Sequence, residues 1–393
     1  SGSGALNYVD LPEQGVGTHT FYYTTPSTTL TNFYFRVDND DGSTTDFVTI
    51  SNITVELLGE DWTQGIGWSI GDSKAISTQA LGGELITNGN FDATGGELIT
   101  NGSFDDTGAD VVINGTFATD TDWNKNPNWT ISGGEAISDG TVVADTSINQ
   151  SGILSVGVSY KISFEITEYN SGDGYQVRAG SGTTYSTPKV TALGVHTYYQ
   201  VATTDQIYIK SGNTNGKIDN VIAEPLGADW TPIASDPDGI SYDENGLTIV
   251  QSSDLESQTR VYQGNVTASA KSYKVTYTIF AASYTLGNSA KYYDGDSYVD
   301  LPEQGAGTHT FYYTREGAND YWYFNLNTPT NSLTDFVTIS SISVEELGED
   351  WTIHNADATH YVEFIETGAR FVSDTLSPVL TLRQDVVSIG KFY

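Results

Sequence analysis

The chain has 393 residues, and its 50 acidic side chains against 16 basic ones give a formal net charge of −34. Self-repulsion of this size favours solubility and argues against nucleic-acid or anionic-membrane partners. Cysteine and methionine are both absent, so no disulfide can staple the fold. The sequence holds no apolar run of the roughly 18 residues that a membrane-spanning helix needs, so no membrane insertion is predicted.

Short segments that alternate apolar with polar residues recur along the chain, among them KISFEIT, KVTYTIF and QIYIKSG. They are bounded by Gly, Asn and Asp, and this period of two is typical of half-buried strands. We find no amphipathic helical pattern of comparable length. The sequence therefore predicts an all-β fold built from tandem β-sandwich (jelly-roll) domains.

Near-identical segments show that a structural unit has been duplicated. Residues 8–24 (YVDLPEQGVGTHTFYYT) return at 298–314 with a single change, Val16 against Ala306. Residues 46–63 return at 335–352 almost unaltered. Repeats of this kind predict an array of similar domains. The tryptophans Trp62, Trp230 and Trp351 close a Gly-x-Asp-Trp motif at each join, and we interpret them as structural anchors.

In chain order, the repeats divide the sequence into five segments. Residues 1–62 correspond to the C-terminal half of a sandwich, and 63–111 to a repetitive linker or aborted repeat that carries GGELITNG twice. Residues 112–228 and 229–349 correspond to complete sandwiches. Residues 350–393 correspond to the N-terminal part of a further repeat.

The incomplete segments at the two ends predict a piece cut from a longer tandem array. The alternative is that the first and last halves pair with each other or with neighbouring chains. The acidic, Gly-rich linker is expected to be exposed, although each of its copies could add one strand to the edge of a neighbouring sheet.

The complete segment 112–228 carries a recognisable pattern. It opens with Asn114–Phe117 (NGTF), continues with Asp122-Trp123 and Trp129, and closes with Ile218–Val221 (IDNV). This pattern resembles the carbohydrate-binding-module jelly roll, a galactose-binding-like sandwich. Versions with LITNGxFD openings resemble modules of bacteriophage structural and tail proteins.

The resemblance implies a structural calcium ion in this segment, with Asp219, Asn114 and Asp122 as the matching ligands. The duplicated segments have Ser51 and Ser340 where this one has Asp219. A hydroxyl is a poor replacement for a carboxylate on a hard cation that needs several oxygen ligands. Calcium is therefore expected in segment 112–228 alone.

The densest aromatic run, Tyr321-Trp322-Tyr323-Phe324, is a candidate sugar platform, because a flat ring stacks on the C–H face of a pyranose. Strand alternation places Tyr321 and Tyr323 on one face and Trp322 on the other. We weigh simple core packing more heavily, but if a module binds a glycan, we predict Trp322 or its neighbours Tyr321 and Tyr323 as the contact.

The sequence contains no nucleophile elbow, phosphate loop or zinc-binding helix motif, so we do not expect an enzyme. We predict a virion-associated structural or adhesion protein, such as a phage fibre, spike or capsid decoration at the virion surface. Its expected partners are a cell-surface or extracellular glycan and other virion proteins, with homo-oligomerisation left open. The alternatives are a secreted bacterial adhesin, a polysaccharide-binding appendage, or an architectural spacer.

Overall fold

The computed structural model describes most of the chain. The residues described are 15–21, 33–36, 48–58, 81–142, 146–180, 187–233, 239–250, 259–284, 289–294, 296–315, 317, 319–327, 334–356, 360–373 and 380–385. Within these ranges the regular structure consists of β-strands, with no α-helix. The all-β prediction is confirmed. No helix in this part of the chain has the length and hydropathy to cross a membrane.

The strands are short at the N-terminus and lengthen towards the middle of the chain. The first eight are β1 (Phe33–Arg36), β2 (Val48–Ile50), β3 (Glu56–Leu58), β4 (Leu81–Glu84), β5 (Thr94–Glu97), β6 (Asn124–Lys125), β7 (Trp129–Ser132) and β8 (Glu135–Asp139). The next ten are β9 (Thr146–Gln150), β10 (Ser159–Ser171), β11 (Tyr175–Ala179), β12 (Gly194–Val201), β13 (Ile207–Ser211), β14 (Asn215–Pro225), β15 (Thr231–Ile233), β16 (Ile240–Asp243), β17 (Gly246–Val250) and β18 (Thr259–Gln263). The last ten are β19 (Ser272–Ser283), β20 (Ser289–Tyr293), β21 (Tyr298–Asp300), β22 (Gly307–Thr314), β23 (Trp322–Asn327), β24 (Phe336–Leu347), β25 (Thr352–His354), β26 (His360–Ile365), β27 (Gly368–Ser373) and β28 (Thr381–Gln384).

The chain divides into two compact units. One consists of residues 96–346, and the other, which we call the terminal unit, combines residues 1–95 with 347–393. The unit 96–346 contains two sandwiches, each with its own hydrophobic core.

The continuous sandwich is formed by β6 to β14. Its sheets have the strand orders β12-β10-β14-β8-β7 and β11-β13-β9-β6. The long strand β10 shows why the chain folds this way, since Ile162, Phe164 and Ile166 are buried and the residues between them are partly exposed. This alternation places every second side chain in the core.

The interrupted sandwich is formed by β15 to β24. Its sheets have the orders β15-β18-β23-β20-β21 and β16-β17-β24-β19-β22, with β5 pairing on β24. Its core also includes Ile99 and Phe104, which precede the whole continuous sandwich in sequence. We call it interrupted because the continuous sandwich is inserted between these residues and the rest of its strands.

In the terminal unit, strands from the two ends of the chain pair with each other. Strand β1 pairs with β28, with Phe33 opposite Gln384, and β2 pairs with β27, with Val48 opposite Phe371. Of the two possibilities that the sequence leaves for the end segments, the structure shows mutual pairing within one chain.

The predicted linker 63–111 differs most from expectation, because its described part supplies two opening segments, and the start of a third, to three different cores. We call these segments openers: residues 84–91, 97–104 and 110–117. In each, the glycine carbonyl accepts a hydrogen bond from a backbone N–H of its own core. The donors are Ile53 to Gly89 (2.7 Å), Ile342 to Gly102 (2.8 Å) and Val221 to Gly115 (2.9 Å).

Each opener is clasped by one tryptophan. The indole N–H of Trp123 donates to the Asn114 carbonyl (3.0 Å), that of Trp230 to the Asn101 carbonyl (3.2 Å), and that of Trp351 to the Asn88 carbonyl (3.1 Å). Trp230 and Trp351 therefore act as the structural anchors that the sequence predicts, whereas Trp62 lies outside the described residues. Along the chain, the openers of the terminal unit, the interrupted sandwich and the continuous sandwich come in that order. Their tryptophans come in the reverse order, Trp351 last and Trp123 first, so in sequence each unit is inserted within the one whose opener precedes it.

Candidate functional site

The outer face of the sheet β15-β18-β23-β20-β21 carries an unusual set of side chains. Along β23, Trp322 and Phe324 point into the core, and Tyr323 points outward with Tyr321 beside it. The Trp322 side chain is 0% exposed and its ring stacks on Tyr292 at 5.6 Å and 11°. Trp322 has no ring surface to offer a ligand, which corrects its prediction as the main sugar-stacking residue.

Five tyrosine rings pack together on this outer face, which we call the tyrosine face: Tyr262, Tyr293, Tyr298, Tyr321 and Tyr323. Tyr323 lies at the centre, with ring centroids 5.3 Å from Tyr262, 5.4 Å from Tyr293, 6.0 Å from Tyr298 and 5.8 Å from Tyr321. The central ring is 9% exposed, and the four around it are half-buried. The cluster thus presents four partly exposed aromatic side chains around a covered one.

Strand register explains why these rings meet. Tyr262 on β18 lies opposite Tyr323 on β23, and Tyr293 on β20 lies opposite Tyr298 on β21. The aromatic run in the sequence indicates Tyr321 and Tyr323 but not the other three, because those lie on other strands of the sheet. The sequence signal that could have indicated these three tyrosines is their outward-facing position on their strands.

A row of polar side chains runs beside the tyrosine face. Arg260, Asn325, Lys291 and Asp300 occupy one register line across β18, β23, β20 and β21. Lys291 Nζ forms an ion pair with Asp300, and Ser289 Oγ donates to the same carboxylate at 2.6 Å. The hydrogen bond from Lys291, followed by that from Ser289, lowers the pKa of Asp300.

The hydroxyl of the central Tyr323 remains protonated at neutral pH. Burial raises the pKa of Tyr323 above the ordinary tyrosine value, and a protonated phenol can both donate and accept a hydrogen bond. The Tyr321 ring packs closely against Gly264. A Cβ at position 264 would lie 3.1 Å from Tyr321 Cε1. The face therefore combines flat apolar rings with fixed polar groups.

The predicted calcium ligands take up a different arrangement. Asn114 Nδ2 donates to the carbonyls of Thr119 (2.8 Å) and Thr121 (3.1 Å), so the amide already occupies the centre of that loop. Asp122 accepts from the Thr121 hydroxyl at 2.6 Å. Among the described residues no group of three or more His, Asp or Glu side chains could hold a metal ion.

Asp219 lies on β14 opposite Glu165 of the neighbouring strand β10. Burial raises the pKa of its carboxyl group, the backbone N–H of Asn220 partly opposes the rise, and the Glu165 charge adds to it. These three side chains alone do not supply the six or more oxygens that calcium takes, and the structural calcium ion stays a prediction.

No protein family matches the sequence, and no curated protein matches it. Among solved structures, the tandem CBM22-1–CBM22-2 domain of Xyn10C from Paenibacillus barcinonensis aligns over 63% of this chain and 99% of its own, with 8% identity and a TM-score of 0.23. The tandem CBM51 modules of Sp3GH98, the family 98 glycoside hydrolase from Streptococcus pneumoniae SP3-BS71, align over 53% of this chain and 83% of their own, with 9% identity and a TM-score of 0.20. Both TM-scores are low, and neither similarity carries an argument about function.

Proposed function

We propose that the chain is a non-catalytic glycan-binding protein and that its binding surface is the tyrosine face of the interrupted sandwich. The single observation that supports this proposal is the contact of five tyrosine rings on one solvent-facing sheet surface, with a polar row alongside. Exposed aromatic patches on soluble proteins commonly mark interaction surfaces.

The chemistry of the face suits a sugar. A pyranose presents flat C–H surfaces, which pack on aromatic rings, and a rim of hydroxyl groups, which need hydrogen-bond partners. By analogy with nucleobase stacking, each ring contributes about 1 kcal/mol or slightly more. The tyrosine hydroxyls and the polar row supply donors and acceptors beside the rings.

The proposal of a non-catalytic role rests on the charges at this face. Asp300 is the only carboxylate in the polar row, and it is paired with Lys291. A glycosidase needs two carboxyl groups that flank the scissile bond, one of them free to give up and regain a proton. The polar row provides no such pair.

The biological setting stays a prediction. The virion surface, a phage fibre or capsid decoration, other virion proteins as partners and a homo-oligomer rest on the resemblance of the LITNGxFD openings alone. A secreted adhesin or a polysaccharide-binding appendage would use the same face. An architectural spacer would leave the face without a ligand, and binding experiments separate that alternative from the proposal.

The test compares tyrosines on the equivalent outer faces of the two sandwiches. Tyr262→Ala and Tyr298→Ala should each weaken binding of the full chain to a responding polysaccharide by about tenfold, which corresponds to roughly 1.4 kcal/mol. Tyr208→Ala is the control, because Tyr208 occupies the register position in the continuous sandwich that Tyr323 has in the interrupted one.

Binding is measured by affinity electrophoresis and calorimetry on a panel of neutral and acidic polysaccharides, and the fold is checked by thermal melting. If the wild type binds no member of the panel, or if Tyr208→Ala weakens binding as much as the other two variants, the proposal fails and the spacer alternative gains.

A further inference from the structure

The Arg260 side chain reaches across the middle of the tyrosine face. It starts on β18 and donates from Nη1 to the hydroxyl of Tyr298 on β21. Strands β23 and β20 lie between these two strands in the sheet. With about 4.8 Å between neighbouring strands, the guanidinium therefore stands over the centre of the face rather than at its rim.

The ring of Tyr298 holds the guanidinium in place. Arg260 Cζ lies 5.5 Å from the ring centroid of Tyr298, within the range of a cation–π contact. The same tyrosine thus contributes both its ring and its hydroxyl. An arginine fixed in this way loses little further side-chain freedom when it binds a ligand.

Arg260 has no carboxylate partner in the part of the chain that the structure describes. Its side-chain hydrogen bond and its cation–π contact there are both with Tyr298, and Nε is buried without a hydrogen-bond partner. In a chain with 50 acidic side chains and 16 basic ones, an arginine without an acidic partner is unexpected. Lys291, the other cation in the polar row, is neutralised by Asp300.

We infer that the glycan bound by the tyrosine face is acidic, and that its anionic group pairs with Arg260. This inference rests on the proposed function and adds the class of ligand to it. A guanidinium donates parallel N–H bonds that match the oxygens of a carboxylate or a sulfate, and such charge-assisted bonds are about twice as strong as neutral ones. The anion would be held beside the rings that stack on its sugar.

The net charge of −34 does not prevent this pairing. At physiological ionic strength the Debye length is about 8 Å, so distant carboxylates are largely screened from a ligand at the face. A contact with the guanidinium is much less screened, because Arg260 is half-buried among aromatic rings. We therefore expect the local charge of the face, and not the total charge of the chain, to select the ligand.

The test uses polysaccharide pairs that differ only in charge. Polygalacturonate is compared with its fully methyl-esterified form, and dextran sulfate with dextran, so the two arms distinguish a carboxylate from a sulfate. The wild type should bind the charged member of at least one pair about tenfold more tightly than its neutral partner, at roughly 0.15 M salt.

Arg260→Gln should abolish this preference, because binding of the charged member should fall to the level of its neutral partner. Arg260→Lys should restore part of it, because the charge remains while the planar fork is lost. Lys274→Gln is the control. It makes the same change in charge on the opposite sheet, where Lys274 faces Glu345 at 3.9 Å.

Failure of the inference and failure of the proposed function give different results. If the wild type binds neutral and acidic members equally, or if Arg260→Gln weakens both alike, the ligand is not selected by its charge and the inference is overturned while the proposed function stands. If the wild type binds none of the polysaccharides, both are overturned.

Discussion

The continuous and the interrupted sandwich share a scaffold but present different surfaces. In each, one glutamine side chain exchanges two hydrogen bonds with the backbone of an opener: Gln150 with Ile113, and Gln263 with Thr100. Because these two glutamines are equivalent, β9 corresponds to β18 and β13 corresponds to β23. The alignment places Asn149 where the other sandwich has Tyr262, and Tyr208 where it has Tyr323.

The outward positions differ in a consistent way. The continuous sandwich has Ser147 at the position of Arg260 and Asn149 at that of Tyr262, and its cations Lys210 and Arg178 occupy other outward positions. On its edge strand β11 the outward residues Gln176 and Arg178 are buried. The inward positions are equivalent in both, with Ile148 matching Val261 in the core and Gln150 matching Gln263 at the opener. The core thus keeps the same pattern in the two sandwiches, while the outer faces differ.

The largest effects on stability are expected at the opener glycines, because a substitution there destabilises one sandwich at a time. A Cβ at Gly102 would overlap the Ile342 carbonyl oxygen, and one at Gly115 would overlap the Val221 carbonyl oxygen. Backbone cannot move aside easily, so each Gly→Ala change should cost about 3 kcal/mol of unfolding free energy. Thermal and urea unfolding measure this cost.

Only Gly102→Ala should also weaken glycan binding strongly, because only that opener completes the sandwich with the tyrosine face. Gly96→Ala serves as the control, since a Cβ there meets nothing within 4 Å. Equal loss of binding in Gly102→Ala and Gly115→Ala would contradict this expectation, because glycan binding would then depend on both sandwiches.

A smaller effect is expected from Arg315, a buried arginine of the interrupted sandwich. Arg315 is 0% exposed, and its Nη1 donates to Thr267 Oγ1 at 2.6 Å and to the Tyr321 carbonyl at 3.3 Å. Its Nε and Nη2 have no hydrogen-bond partner among the described residues. The backbone contacts of Arg315 match those of Ala202 in the continuous sandwich.

Replacing both partners, as Thr267→Val with Arg315→Met, should raise the unfolding free energy by about 1 kcal/mol, because a buried charge is exchanged for apolar groups of similar shape. Glycan binding should weaken at the same time, since the Tyr321 carbonyl loses its donor. Calorimetry and the binding assay measure the two effects. A fall in stability would mean that the guanidinium has a stabilising partner that this account lacks.

The sequence predicts part of this structure well, because local pattern determines strands. The alternation in KISFEIT gives β10 its buried residues Ile162 and Phe164, and the recurring Asp-Trp motif indicates the anchors Trp230 and Trp351. The core that each opener joins could not be predicted in the same way. The segments 84–91 and 97–104 are almost identical in sequence, and their different partners are set by pairing over long separations.

The candidate site was predicted in part for the same reason. Strand alternation correctly separated Tyr321 and Tyr323 from Trp322, but it could not decide which side faces the core. That choice follows from Tyr292 and Phe324, which pack on Trp322 from inside. The contribution of Tyr293 depends on the register between strands, which no local pattern specifies.

The most direct test of the central claim is hydroxyl-radical footprinting of the full chain with and without a bound polysaccharide. Tyrosine rings are labelled where solvent reaches them, so both sandwiches report in one sample. The account predicts that the ligand reduces labelling of Tyr262, Tyr293, Tyr298 and Tyr321 and leaves Tyr208 unchanged. Unchanged labelling of the four tyrosines under saturating ligand would contradict it.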